Sequence, residues 1–380
     1  MNSRNRILIA LNHKEPDRIP FDLGGMAQSG IHWIAYTNLR RYLMLPDVKI
    51  KLLNIITQVA RLDTDFQERL LIDTDLVYSD WASSEKVKLY EEGNYFVYTD
   101  EWGIGRCMPK EKGCYFDIYS SPLDVDDVEE KLKHYSWPNP SDPARFNGLK
   151  EEAKNAREKG KFVVLMGLCP GIVEMYSWLR GFVRFYTDLA TEPKIVTHFL
   201  DKMMQLKIDY WEHALSETGE YIDAVNEADD VAGQIEMLIS PTMYRQLIKP
   251  YHRAIFAAIK KFAPHVKILF HSCGAIRPII PDLIEIGVDI LNPIQITAKD
   301  MNPLELKKEF GKNISFWGGA IDTQHVLVKG SVQEIRDHVR RNIEALALGG
   351  GFVFSPVHII QPDIPPENFM VMWEVLQEYG

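Results

Sequence analysis

Short apolar runs of four or five residues recur along the second half of the chain. Each is followed by a longer stretch with helical spacing. The runs are Phe162–Met166, Tyr221–Val225, Val266–Phe270, Val288–Leu291, Ile314–Trp317 and Gly351–Phe354. Continuous runs of this length predict buried strands. Pro241–Phe262 and Ser331–Leu348 predict two of the helices between them. Strands alternating with helices imply βαβ units and a parallel sheet. Two earlier candidates, Ile19–Asp22 and Leu71–Tyr78, bring the number of strands to eight. The natural closure is an α/β fold of the (β/α)8 TIM-barrel type. A doubly wound sheet is the alternative, but no Gly-rich fingerprint follows an early strand.

The rhythm is interrupted before residue 144. Ser136-Trp137-Pro138-Asn139-Pro140-Ser141-Asp142-Pro143 reads as an extended connection. Upstream, Val87–Tyr90 and Tyr95–Tyr98 flank Glu91-Glu92-Gly93-Asn94, a hairpin signature with a Gly-Asn turn. Glu101–Ile104 is a candidate extension of it. Residues 86–120 are therefore expected to form a small antiparallel insertion. The whole chain, 1–380, is expected to be one barrel domain.

Composition narrows the class without naming an activity. The chain has 380 residues, 46% hydrophobic and 25% charged, with a net charge of −10. These values exclude a disordered chain, a collagen-like chain and a disulfide scaffold. Four cysteines (Cys107, Cys114, Cys169 and Cys273) are too few for a framework, and read as reduced thiols of a cytoplasmic protein. The opening apolar stretch, Ile7–Leu11, is too short for a signal peptide. No run approaches the ~18 residues that span a bilayer. The acidic balance and the lack of a Lys/Arg block argue against nucleic acid as a partner.

Working residues of such barrels lie at the C-terminal ends of the strands. Here those ends are polar or small. They carry Gly167-Leu168-Cys169-Pro170-Gly171, Asn226-Glu227-Ala228-Asp229-Asp230 with Gln234 nearby, His271-Ser272-Cys273-Gly274, Asn292-Pro293-Ile294-Gln295, Gly318–Asp322 and Ser355–His358. His271 and Cys273 are two apart on a strand, so they project to one face. An imidazole and a thiolate there make half a zinc site, and equally a buried cysteine beside a hydrogen-bonded histidine. Gly274 lets the backbone turn away. His358 ends the final strand and reads either as a pocket residue or as packing. Glu227 and Asp230 read as metal ligands, as a general base or as a solvated loop; for Asp229 the solvated loop is preferred. Trp317 and Trp178 read as pocket walls or as core, with core preferred for each. Asn226, Cys169, Trp317 and Asn292 are carried as candidate substrate contacts. Cys107 and Cys114, with a long spacing, are assigned no role.

Leu11-Asn12-His13-Lys14-Glu15-Pro16-Asp17-Arg18-Ile19-Pro20, the stretch from Asp230 through Gln234, Ile239-Ser240-Pro241 and Tyr244 to Pro250-Tyr251, and Pro365-Pro366-Glu367-Asn368 together resemble the uroporphyrinogen decarboxylase superfamily. That superfamily includes cobalamin-dependent methyltransferases. The resemblance implies one of two chemistries. The decarboxylases carry an early Arg-rich segment that grips porphyrinogen carboxylates, and Phe21–Gly30 contains no arginine. The methyltransferase branch is similar at His271-Ser272-Cys273-Gly274, its zinc motif. It places a second cysteine where this chain has His358, a departure that histidine can fill as a ligand. The decarboxylases also have a histidine there. The resemblance thus implies a zinc-dependent transfer of a methyl group between a small methylated substrate or thiol and a corrinoid carried by a partner protein. Zinc would be held by His271, Cys273 and His358. Glu227 is expected as the fourth ligand because its strand end should face the same pocket. Asp230 and Gln234 are expected to orient substrate. A homodimer is suggested by the decarboxylase relatives. The alternatives are a cofactor-independent decarboxylase and a barrel that binds a metabolite or corrinoid without turnover.

Overall fold

The computed structural model describes residues 1–79 and 87–379. Seven parallel strands run in sequence order around one curled sheet: β1 (Thr74–Val77), β2 (Phe162–Met166), β3 (Ala224–Ala228), β4 (Lys267–His271), β5 (Ile290–Asn292), β6 (Ser315–Trp317) and β7 (Phe352–Val353). The eighth position is a short segment with a single ladder bridge. Asp22 N donates to Phe354 O at 2.9 Å, Phe354 N to Pro20 O at 2.9 Å, and Asp73 N to Phe21 O at 2.8 Å. Pro20–Asp22 therefore lies between β7 and β1 and closes the (β/α)8 barrel. Pro20 has no N–H to donate, so the strand stays short.

Alternation along the strands builds two cores. Leu76, Phe162, Val164, Ala224, Leu269, Ile290, Trp317 and Val353 meet inside the barrel, with Ile7 and Leu11 of helix Ser3–Leu11 packed against them. Their neighbours Val77, Val163, Leu165, Val225, Ile268, Phe270, Leu291 and Phe316 pack in the outer core with the helices. One side chain points in and the next out, as a period of two demands.

Several boundaries differ from the sequence expectation. The run Tyr221–Val225 is not itself β3; Gly219–Tyr221 is a 3₁₀ turn, and the strand runs Ala224–Ala228. Asn226 and Glu227 thus lie within the strand rather than beyond it. Pro241–Phe262 is interrupted. A π turn, Tyr244–Ile248, precedes the regular helix Lys249–Phe262, whose second residue is Pro250. Proline cannot donate its turn's hydrogen bond, and the π turn absorbs that gap. Helix Val332–Leu346 is capped by Ser331, whose hydroxyl and Glu334 form a reciprocal capping box.

The insertion is a four-stranded antiparallel sheet of Tyr90–Glu92, Tyr95–Thr99, Gly105–Pro109 and Asp117–Ser120. Its hairpin turns on Gly93-Asn94 alone, while Glu91 and Glu92 belong to a strand. Glu101–Ile104 is the turn between two strands. Residue 86, at the expected start, lies outside the described residues.

A buried carboxylate ties the barrel seam together. Asp73, fully buried, accepts from Arg6 Nη1 at 2.7 Å, from Arg18 Nη1 and Nη2 at 2.8 and 2.9 Å, and from Phe21 N at 2.9 Å. Removing it takes from Arg18 its carboxylate partner and leaves Arg6 with Asp17 alone, next to the closing segment. Asp73→Ala is expected to destabilise the fold by about 3–5 kcal/mol, read as a lowered urea midpoint. An unchanged midpoint would show that the seam does not depend on this carboxylate.

Candidate metal and substrate site

The mouth of the barrel holds a cavity of about 560 Å³. Its walls come from the strand-end loops and from the insertion, whose residues Trp102, Arg106 and Phe116 face it.

His271 is the last residue of β4, and its inward direction follows from Leu269 two residues before it. Its Nδ1 lies 2.6 Å from Asn292 Oδ1. Asn292 Nδ2 donates to Trp317 O at 2.8 Å, which orients the amide so that its oxygen faces the histidine. Nδ1 is therefore the protonated nitrogen, and Nε2 carries the lone pair. Cys273 Sγ lies 3.5 Å from that Nε2. His358 completes the group, and the donor atoms of His271, Cys273 and His358 all lie within 4.8 Å of one another. Gly274 then turns away at φ +91°, where an added Cβ would sit 2.5 Å from Ala232 O and Gly233 O. Its N–H donates to Gln295 Oε1 at 2.6 Å.

Charge around the cluster is acidic. Asp230 Oδ1 accepts from Cys273 N at 2.7 Å and lies 3.8 Å from His271 Nε2. Glu174 Oε2 accepts from Asp230 N at 3.2 Å. Burial, followed by the charges of Asp230 and Asp229, pushes the Glu174 carboxyl well above the usual range. Burial, with Asp230 and Glu174, does the same for the Cys273 thiol. Burial and the neighbouring His271 lower His358 to about 4, so its imidazole is neutral at pH 7.

The other candidates separate. Asn226, inward on β3, lines the cavity, and its Oδ1 is buried without a hydrogen-bond partner among the described residues. Cys169 lines the cavity too, and burial lifts its thiol to about 12. Asn292 supports His271 from beneath. Trp317 is core: it is fully buried and donates Nε1 to Asp22 Oδ2 at 2.7 Å. Trp178 lines the cavity instead. Gln234 is exposed on its loop; its carbonyl accepts from Lys299 N at 2.8 Å and its side chain accepts a long bond from Thr297 Oγ1, 3.4 Å, away from the cluster.

Glu227 is not brought to the cluster. It is paired in register with outward-facing Phe270, and its carboxylate accepts from Lys207 Nζ at 2.8 Å and Trp211 Nε1 at 2.6 Å. The alternation of the strand sends it into the helix layer while Asn226 and Ala228 face inward. Burial lowers the Lys207 pKa, but Glu227 outweighs that and holds it at about 12. Asp229, expected in a solvated loop, is fully buried. It accepts from Val173 N and Glu174 N, 3.1 and 3.0 Å, and from His252 Nε2 at 2.9 Å.

Glu174, Arg106 and Arg145 line the cavity without having been singled out from sequence. Glu174 had one readable signal: it is the third residue of helix Ile172–Arg180, directly after a strand-end loop. The arginines had none, because only the folded insertion and the Pro-rich connection bring them there.

The His358 shift has a testable sign. Its folded pKa of about 4 lies below the ordinary value of 6.5. Unfolding therefore takes up a proton between those values, and stability falls as pH drops from 6.5 towards 4. The urea midpoint of metal-free protein is expected to decline across that window, with a shallower slope in His358→Gln. Equal slopes would refute a neutral imidazole at this position.

No curated protein matches this chain. Among solved structures, a methyltransferase from Methanosarcina mazei aligns over 100% of this chain and 99% of its own, with a TM-score of 0.66 and 17% identity. That likeness shows the shared fold. Xylanase B from Clostridium stercorarium F9 covers 62% of this chain and 76% of its own at a TM-score of 0.34 and 14% identity. Xylanase 10B from Thermotoga maritima covers 67% and 91% at 0.38 and 11% identity. Neither barrel bears on function. The model of the uroporphyrinogen decarboxylase (URO-D) family matches residues 97–379, from the insertion to the last helix, and the chain belongs to that family.

Proposed function

We propose that this barrel is a zinc-dependent methyltransferase that moves a methyl group between a small methylated substrate or thiol and a corrinoid carried by a partner protein. The observation that carries the reading is the convergence of His271, Cys273 and His358 on one point at the barrel mouth. The Methanosarcina mazei methyltransferase, alike in fold over its whole length, supports it.

The residues fit zinc on their own chemistry. Asn292 holds His271 in the tautomer that offers Nε2, and His358 is neutral. Two imidazoles and a thiolate are a ligand set zinc takes, with the fourth position left for substrate. The raised thiol of Cys273 is what burial among carboxylates produces in the absence of a cation, and a divalent ion reverses that balance. Bound there, zinc supplies a Lewis acid that activates a thiol or polarises a methyl-bearing heteroatom.

The chain's own groups do the positioning. Asp230 grips the Cys273 backbone and so aims the sulfur. Asn226 Oδ1 offers an unused acceptor to a substrate donor. The apolar walls exclude water, which strengthens every polar contact within. A porphyrinogen decarboxylase is less well served. It needs several cations for its many carboxylates; among the described residues the only Arg or Lys lining this cavity are Arg106 and Arg145, and Arg145 is held by Glu101.

Elemental analysis is expected to find one zinc per wild-type chain and none in Cys273→Ser. Asn292→Leu, which removes the acceptor for His271 Nδ1, is expected to weaken zinc retention about 10–100-fold in a chelator competition. Demethylation of a donor panel, read as methylation of added cob(I)alamin kept reduced by a chemical reductant, should depend on that zinc. Wild-type protein without zinc, indistinguishable from Cys273→Ser, would end the proposal.

A further inference from the structure

The cavity contains a buried cation with an unused edge. Arg106 lies on the insertion strand Gly105–Pro109, and its side chain is 3% exposed. Its Nε donates to Asp100 Oδ2 at 3.1 Å, and its guanidinium sits 4.6 Å from the centroid of the Trp178 ring. Asp100 is itself fixed by the backbone N–H groups of Trp102 and Ile104, each at 3.0 Å. One edge and one face of the guanidinium are thus held. Among the described residues, no hydrogen bond uses either Nη atom. Arg145 in the same cavity is different: its Nη1 and Nη2 donate to Glu101 and its Nε to Asn139 O.

Guanidinium donors that line a cavity and that no protein group uses are available to a ligand, and a charge-assisted pair made there is strong. A guanidinium presents parallel N–H donors in a fixed plane, and that fork matches a carboxylate. Phe116, Trp102, Trp178 and Phe182 line the same cavity with aromatic faces. Its volume of about 560 Å³ holds a ring with substituents. Asp230 comes from a strand-end loop and Glu174 from the helix that follows one, while Arg106 comes from the insertion, so the two walls differ in chemistry.

We propose that Arg106 anchors the single carboxylate of a small ring-bearing acid, whose methyl-bearing atom then lies at His271, Cys273 and His358. The second clause rests on the methyltransferase reading; the anchor itself does not. Asp100 is the positioning residue that braces the guanidinium.

Calorimetric titration of wild type and Arg106→Gln with benzoate and with benzamide tests this, with zinc content measured on the same samples. Wild type is expected to prefer benzoate by at least about tenfold, since only the acid pairs with the guanidinium. Arg106→Gln should lose that preference while keeping its zinc and its benzamide affinity. Arg106→Lys keeps the charge but not the fork; it should also bind benzoate more weakly, and it serves if the glutamine variant fails to fold. Equal binding of the two probes by folded wild type, no binding of benzoate, or a benzoate affinity indifferent to both substitutions would overturn the anchor. Benzoate preference in a protein that holds no zinc would leave the anchor standing and remove the methyltransferase reading.

Discussion

In a closed barrel, successive side chains on a strand point alternately to the interior and to the helix layer. The site of this protein depends on that alternation more than on any single bond. On β4 it puts Leu269 and His271 inward and Phe270 outward, and carried one step beyond the strand it brings Cys273 to the same side. On the neighbouring β3 the parallel register pairs Phe270 with Glu227 and Leu269 with Asn226. The same rule therefore delivers an amide to the cavity and a carboxylate to Lys207 and Trp211. A shift of one residue in either strand would exchange those roles.

The loops above the strands are locked by carboxylates that accept backbone N–H groups. Asp229 takes the first free donors of helix Ile172–Arg180, where a negative charge meets the favourable end of the helix dipole. Glu174 on that helix reaches back to Asp230 N, and Asp230 reaches on to Cys273 N. Three acids in sequence thus connect the ends of β2, β3 and β4. Burial, with the charges of these acids, raises the Glu174 and Cys273 pKa values.

The insertion has a separate contribution. It supplies no member of the His271–Cys273–His358 group, yet it walls the cavity with aromatic rings and Arg106. The His271–Cys273–His358 group thus comes from the repeating barrel, while Trp102, Arg106 and Phe116 come from the segment that breaks the repeat. Loop variation on a fixed barrel is how this architecture changes substrate without changing its strand-end chemistry.

Local physics made much of this legible in the linear chain. Continuous apolar runs marked the barrel strands because both faces of a parallel sheet are buried. The two-residue spacing of His271 and Cys273 marked a shared face, and Gly93-Asn94 marked a hairpin turn. Strand ends were harder, because polar residues such as Asn226 and Glu227 look like loop until their buried partners are known. The tertiary structure alone decided that Glu227 faces Lys207, that Asp229 is buried, that Trp317 is core while Trp178 is wall, and that Arg106 enters the cavity. Each of those outcomes is set by a partner distant in the chain: Glu227 by a helix residue 20 positions away, and Trp317 by Asp22 at the other end of the protein. Periodicity is written in neighbouring residues, whereas the partner that satisfies a buried charge is chosen only when the barrel closes.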